Sequence, residues 1–457
     1  MMATGNIGVR HQSSSMRVAK SISQINTYVE SNKYRLYVNS VVPEGGEGAR
    51  IRCGTRIVEA SWHPLLPADN LTGRVFRESK DRTRIIGGTM GRETEILVVG
   101  GGPAGLAAAI AARKKGFEVT VVDGAKPPID KACGEGLMPN TLAALRELGI
   151  PIYPSDGRIF RGLRFIEGKT EAEANFPGEN GIGVARTVLH RKMVERAEEC
   201  GVSLLWGTPV SGLTGEGAIV RGREMRAKWV IGADGIGSRV RRWSGLDFAS
   251  RHRVRFAQRR HYRTRPWTEH VEIYWGRMMQ AYVTPLGGEE TCVALISDDP
   301  RMRLEDTWEE FPELAARVQI AELSGVDRGG VTVISMLRRV HRGNVILTGD
   351  ASGSVDAITG EGLCLSFRQA IALADSLASG RLETYQVAHR LLSRATYVMS
   401  RLLVWLGRYG KLRQRALQVL ARDPGLFARF LAGHVGKSSA LDLAATSLRF
   451  GRQFLTA

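Results

Sequence analysis

The chain has 457 residues, enough for two or three domains with cores of their own, and its hydrophobic (43%) and charged (24%) fractions exclude a disordered or fibrous protein. Its five cysteines are scattered and odd in number, which excludes a disulfide framework and fits a reducing, cytoplasmic setting. The net charge of +18 sits mostly at the ends, with about +7 before residue 93, about +10 from residue 390 onward and about +1 between them. Such an excess is either a solvated Arg-rich surface or a contact for an anionic membrane. No nucleic-acid motif accompanies it, so nucleic acid is not an expected partner. The longest apolar stretch of the tail, "LLVWLG" at 402–407, is hemmed in by Arg401 and Arg408 and falls short of a membrane span.

Residues 1–92 are rich in Ser, Gly and Arg and show little periodicity, so they read as a poorly structured extension. Glu30, Glu44, Glu47 and Glu59 argue against a transit peptide over the whole stretch, and no secretory signal is visible. Translation from Met90 would put the first strand at the N-terminus, and is the simpler alternative.

The most informative stretch is "TEILVVGGGPAGLAAAIAARKKGFEVTVVDG" at 94–124. An apolar run ends at Gly100, as a buried parallel strand should. Gly100, Gly102 and Gly105 form G-x-G-x-x-G: a tight turn, a close approach to a pyrophosphate and close helix packing. An Ala-rich helix should run from about Pro103 to Lys115 and stop at Gly116, its N-terminus offering free N–H groups to phosphate. The second strand, 117–122, ends at Asp123, at the distance where an acid binds a ribose hydroxyl.

Two later motifs repeat the logic. "WVIGADGIGSRVRRW" (229–243) and "GNVILTGDASGSVDAITGEGLCLSF" (343–367) each run a buried strand into an acid, Asp234 and Asp350, at the carboxyl edge of a sheet. Each acid alone is equally a helix N-cap. "DKACGEGLMP" (130–139) adds a cysteine before two glycines; Cys133 has no neighbour for a metal site or a CxxC pair. His190, His261, His270 and His341 show no metal spacing, so no metal is expected.

With these motifs on the page, residues 93–385 resemble the FAD-dependent oxidoreductases of the para-hydroxybenzoate hydroxylase fold. "KACGEGLMP" and "TGEGL" are most similar to the geranylgeranyl reductase branch. The resemblance implies that Gly100, Gly102, Pro103, Ala104 and Gly105 hold the FAD pyrophosphate, and Asp123 with Gly124 the adenosine ribose. Asp234, Gly235, Gly349 and Asp350 would flank the rest of the cofactor. Gly360, Gly362 and Leu363 would start a helix whose positive end faces the flavin ring. Lys131, Cys133 and Gly134 would form a turn beside the ring, and Arg186 would lie near it. Inert packing is the other reading of Cys133, and an ordinary helix-start Arg the other reading of Arg186.

There are departures. Where the reductase branch carries Tyr-x-Trp-x-Phe-Pro, this chain has "QAYVTP" (280–285), keeping Pro285 and putting Tyr282 at the Trp position. Ala357 replaces a Pro usual after the Gly-Asp pair, and the halogenase motif Trp-x-Trp-x-Ile-Pro is absent. Residues 181–201 read as a strand and then a helix with Leu189, Met193, Val194 and Ala197 on one face. Residues 250–300 alternate as antiparallel strands, with Tyr262, Tyr274, Trp275 and Tyr282 either lining a pocket or forming core pairs. From about Thr384 the chain turns helical and basic, with Asp423-Pro424-Gly425 dividing two helices. That tail is either a cap on the nucleotide domain or an amphipathic edge for a membrane.

The expected fold is α/β: a Rossmann-like FAD-binding domain (93–165, 180–248, 336–385) interleaved with an antiparallel β substrate domain (166–179, 249–335), then basic helices (386–457). The expected activity is hydride transfer from reduced FAD to a hydrophobic, isoprenoid- or polyketide-like substrate, with Cys133 and Tyr282 as candidates near it. NAD(P)H or another reductant would supply electrons. The alternatives are an NAD(P)H- and oxygen-dependent FAD monooxygenase, an electron-transfer flavoprotein to quinone, and a flavin-binding scaffold without turnover. The expected location is cytoplasmic, with membrane association through the tail left open.

Overall fold

The computed structural model describes residues 93–246 and 254–456 in full, and the backbone of short strands among the first 63 residues. Within residues 1–87, a separate unit, Gly48–Cys53 pairs antiparallel with Arg56–His63, and Thr27–Ser31 forms a hairpin with Tyr34–Val38. Met90 and most of residues 1–92, on which the expected loose extension and alternative start rest, lie outside the described residues.

In the second unit the leading strand β1 (Glu93–Val99) has Ile96, Leu97 and Val98 wholly buried, because a parallel strand with both faces covered must be apolar throughout. Helix α1 (Pro103–Lys114) starts with Pro at its first turn and ends in Arg113 and Lys114, in line with its dipole. Gly116, at φ +91°, carries the chain out of the helix, as expected. Strand β2 (Val119–Val122) follows, then α2 (Pro139–Leu148).

The chain now leaves this sheet for a hairpin, β3 (Gly162–Glu167) and β4 (Thr170–Asn175), and returns through α3 (Arg186–Glu199), β5 (Ser203–Leu205) and β6 (Arg223–Gly232). Helix α3 buries Leu189, Met193 and Ala197 of the face read from the sequence, and leaves Val194 half-buried against the same core. A second excursion builds β7 (Val254–Arg263), β8 (His270–Trp275), β9 (Met279–Pro285), β10 (Glu290–Ser297) and β11 (Glu322–Val333). Strand β12 (Val345–Leu347) comes back to the first sheet, and α4 (Gly362–Ala378) packs beside α1.

The result is two large sheets and a small one, in which Gly181–Gly183 pairs with Arg158–Phe160 and Gly136–Leu137. The first has the parallel order β5-β2-β1-β6, with β12 pairing along the carboxyl end of β6. The second runs β4-β3-β8-β9-β10-β7-β11 and is antiparallel except between β3 and β8. The hairpin begins at Gly162, a few residues ahead of the boundary read from the sequence.

Four helices close the chain: α5 (Leu382–Arg408), α6 (Gly410–Arg422), α7 (Pro424–His434) and α8 (Ala440–Thr456). The break at Asp423 is where the sequence put it, and the Asp423 side chain accepts from Leu426 N at 3.0 Å as a cap. A further break at Tyr409 was not signalled. Helices α6 and α7 pack on β4, so they roof the second sheet rather than the nucleotide sheet alone. Among the described residues, no helix is long and apolar enough to cross a membrane.

Candidate active site

The carboxyl ends of β1, β6 and β12 open into a cavity of about 510 Å³ that continues beneath the second sheet. At the end formed by the glycine loop, the three glycines differ in the room around them. A Cβ at Gly100 would stand 2.4 Å from Ala233 O, and one at Gly105 would stand 1.8 Å from Gly100 O. Those two positions are closed by packing. Gly102 meets nothing within 4 Å, and with Pro103 and Ala104 it lines the cavity. No side chain caps α1, so its first N–H groups remain available to an anion.

Asp123 stands behind this loop. Its carboxylate accepts from Gly101 N at 2.6 Å and from Ala125 N at 2.7 Å. Neither Asp123 nor Gly124 lines the cavity. Two residues that the glycine pattern did not reveal brace the loop. His190 Nε2 meets Gly101 O at 2.9 Å, and the Trp206 ring fills the space a Gly101 Cβ would need. Burial lowers the His190 pKa, which keeps the ring neutral.

The two later acids separate. Asp234 faces the start of a short helix (Arg239–Trp243) whose N-cap is Ser238, accepting from Arg239 N at 2.7 Å, Val240 N at 3.1 Å and Ser238 Oγ. It does not line the cavity; Gly235, at φ +79°, does. Asp350 lines the cavity, and its residue is open to that space rather than packed in the core. Desolvation pushes its carboxyl pKa up, opposed chiefly by Lys131 and Arg186. Gly349 serves packing, since a Cβ there would meet Ala104 Cβ at 2.5 Å. Gly360, at φ +66°, lets the chain turn into α4, and Gly360, Gly362 and Leu363 all face the cavity. Like α1, α4 begins without a side-chain cap on its N–H groups.

Lys131, Cys133 and Gly134 line the cavity from the loop ahead of α2. Burial raises the Cys133 thiol pKa, so Sγ keeps its proton at neutral pH. The loop is held by Glu135, which the sequence reading passed over. Glu135 has φ +59°, uncommon for a residue with a side chain. Its carboxylate accepts from Arg186 N at 2.8 Å and meets His261 Nε2 at 2.6 Å. Arg259 reaches both His261 and Asp130, and Asp130 also pairs with Arg328 at 2.9 Å. Arg186 lines the cavity, and its buried Nε has no partner in the protein. Two uncapped helix ends, an open glycine and a buried guanidinium nitrogen without a partner fit an anionic dinucleotide.

Glu135, His261 and Cys292 each bring a donor atom within 4.8 Å of the others. Three distant segments meet here, so sequence spacing did not show it. Arg259 lies 3.9 Å from Glu135 and already balances its charge, so this is a paired cluster rather than a site short of a cation.

The far end of the cavity is apolar. Phe165, Ile273 and Trp275 line it from the second sheet, and Leu403, Leu406 and Phe427 from the closing helices. Of the four aromatics read from the strands, Trp275 and Tyr282 line the cavity, while Tyr262 and Tyr274 pack into the core on the other face. The departures in "QAYVTP" become polar bonds. Gln280 binds Arg255, Tyr282 Oη donates to Ile358 O at 3.0 Å, and Thr284 Oγ1 donates to Gly134 O at 2.6 Å.

Known proteins are similar to this chain in sequence and in fold. The FAD binding domain family matches residues 93–384. A menaquinone reductase of Mycobacterium tuberculosis (strain ATCC 25618 / H37Rv) is 30% identical over 333 residues, covering 65% of this chain and 80% of that protein. A digeranylgeranylglycerophospholipid reductase of Methanosarcina mazei is 29% identical, covering 59% of this chain and 71% of that protein. Among solved structures, a geranylgeranyl bacteriochlorophyll reductase-like protein of Thermoplasma acidophilum is similar in fold. Its TM-score is 0.61 at 20% identity, over 80% of this chain and 98% of that one.

Proposed function

The chain belongs to the FAD binding domain family, an FAD-dependent oxidoreductase of the para-hydroxybenzoate hydroxylase superfamily, and from that premise we propose that it reduces a carbon–carbon double bond of a long isoprenoid-type substrate. The observation that carries this reading is the single cavity joining the open Gly102 and Asp350 end to an apolar end walled by Phe165, Ile273, Leu403 and Phe427. The names of the relatives, reductases of menaquinone and of an isoprenoid lipid, support it.

In this reading the parallel sheet is the FAD-binding domain and the second sheet, interleaved with it, is the substrate domain. The N-terminus of α1 takes the pyrophosphate, and Asp350 and the start of α4 the flavin end, while Asp123, outside the cavity, shapes the glycine loop through Gly101 N. Bound FAD supplies the hydride. The apolar walls exclude water and align a chain that offers no polar handle. Reduction also consumes a proton, and Cys133 Sγ, protonated on the cavity wall, is our candidate to hold it. NAD(P)H or another reductant would return the electrons.

The test is an anaerobic incubation of the purified, dithionite-reduced full chain with menaquinone and with a geranylgeranyl lipid, followed by mass spectrometry. After reoxidation of the quinone ring in air, a product still heavier by one H2, with the saturation in its isoprenoid chain, is expected. No bound flavin, or a product heavier by one oxygen and formed only in air, would overturn the reductase reading; the second result would establish a hydroxylase.

A further inference from the structure

The closing helices expose apolar surface in order. On α5, Val387, Leu391, Val398, Leu402 and Trp405 recur at helical spacing on one side and are 45–68% exposed. On α8, Leu441, Leu448 and Leu455 repeat every second turn and are 77–82% exposed. The opposite side of α8 carries Phe450, which stacks on Phe454 and meets Phe430 edge to face. Scattered exposed leucines need no explanation; two ordered stripes at one end of a molecule do.

Two observations say what covers them. From residue 390 to the end the chain holds twelve Lys and Arg against two Asp. Arg394, Arg401 and Arg408 run along the edge of the α5 stripe and Arg452 lies within that of α8. A second copy of so cationic a face would repel the first, whereas anionic lipid would attract it. The stripes also border the cavity. Met399, Leu402, Leu403 and Leu406 of α5 and Phe450 of α8 line it, and Leu402 is at once a lining residue and 51% exposed.

We infer that α5 and α8 lie on an anionic lipid bilayer and that the cavity admits its substrate from the acyl layer between these two helices. The bilayer contact stands on the stripes and the charge; the entry route rests on the hydrophobic substrate proposed above. Aromatic and aliphatic side chains buried to interfacial depth, framed by arginines at the headgroups, are the pattern of an in-plane helix.

The experiment is co-sedimentation of full-length, FAD-loaded protein with phosphatidylglycerol–phosphatidylcholine vesicles, which requires no substrate. Sedimentation that falls with added salt and is weak on pure phosphatidylcholine is expected. Leu391→Asp and Leu448→Asp, both on exposed sites, should each weaken it on the order of tenfold. Brominated lipid should quench Trp fluorescence, and Trp405→Phe should remove much of that quenching. Protein that stays in the supernatant, equal sedimentation of the Asp variants, or loss of a dimer in those variants without vesicle binding would each overturn the inference. Failure here leaves the reductase assay standing, and the reverse also holds.

Discussion

The Glu135 carboxylate and the His261 ring meet at 2.6 Å, joining the loop ahead of α2 to the middle of β7 across 126 residues of sequence. Glu135 is the anion to which Arg259 and the backbone N–H of Arg186 also turn. Its side chain is fully buried, so its partners have no water to replace it. Glu135→Gln should lower stability by about 3 kcal/mol, and a cycle with His261→Gln should show coupling of about 1–3 kcal/mol. Denaturant unfolding of the four proteins checks this; additive losses would refute a shared pair.

The glycine loop gives a contrast. Gly105→Ala puts a methyl group 1.8 Å from a backbone oxygen, and should cost about 3 kcal/mol with loss of bound FAD. Gly102→Ala meets nothing in the protein, and should fold within about 1 kcal/mol of the parent while binding FAD about tenfold more weakly. Thermal melts with and without FAD separate the two effects.

His389 supplies a pH signature. It is buried behind α4, with Nε2 at 2.8 Å from Ser352 Oγ, and burial lowers its pKa from 6.5 to about 4. The unfolded chain therefore takes up a proton that the folded ring refuses. Stability is full above pH 6.5 and falls as pH drops from 6.5 toward about 4, by up to about 3 kcal/mol. His389→Gln should flatten that part of the stability–pH curve, measured by urea unfolding across the range.

Cys133 should behave as a thiol. With its pKa raised above 9.0, less than about 1% is thiolate at pH 7. Peptide-resolved iodoacetamide labelling should be slow at pH 7 and still rising in rate beyond pH 9. A plateau near neutrality would contradict the burial that holds the proton on Sγ.

Much of the nucleotide end was legible before the fold was known, because each requirement is local. A buried parallel strand must be apolar along its length, a tight turn needs Gly100, and an uncapped helix start needs no acid in its first turn. Asp234 shows the limit of such reading. Its sequence context matches that of Asp350, yet its oxygens are used up capping the next helix. Local sequence cannot tell a capping acid from one facing a cavity. Glu135 and Trp206 escaped notice, and His190 and His261 were weighed only as metal ligands, for a different reason. Each acts on a partner at least 51 residues away or fills a gap left by a glycine, so no short window contains both members. Gln280 and Thr284 looked like lost aromatics and proved to be the side chains that bind Arg255 and the Gly134 carbonyl.

The stitching of that one loop also governs how the molecule exchanges its contents. Residues 130–136 belong by sequence to the nucleotide half, yet Thr284 holds Gly134 O, Arg259 holds Asp130 and His261 holds Glu135, all three from strands of the second sheet. Parting the two sheets like jaws would break every one of these bonds together, at a cost on the order of several kcal/mol. The roof is joined differently: Arg413 of α6 meets Glu167 of β3 through side chains alone, so the entry route inferred above would leave the stitched loop intact.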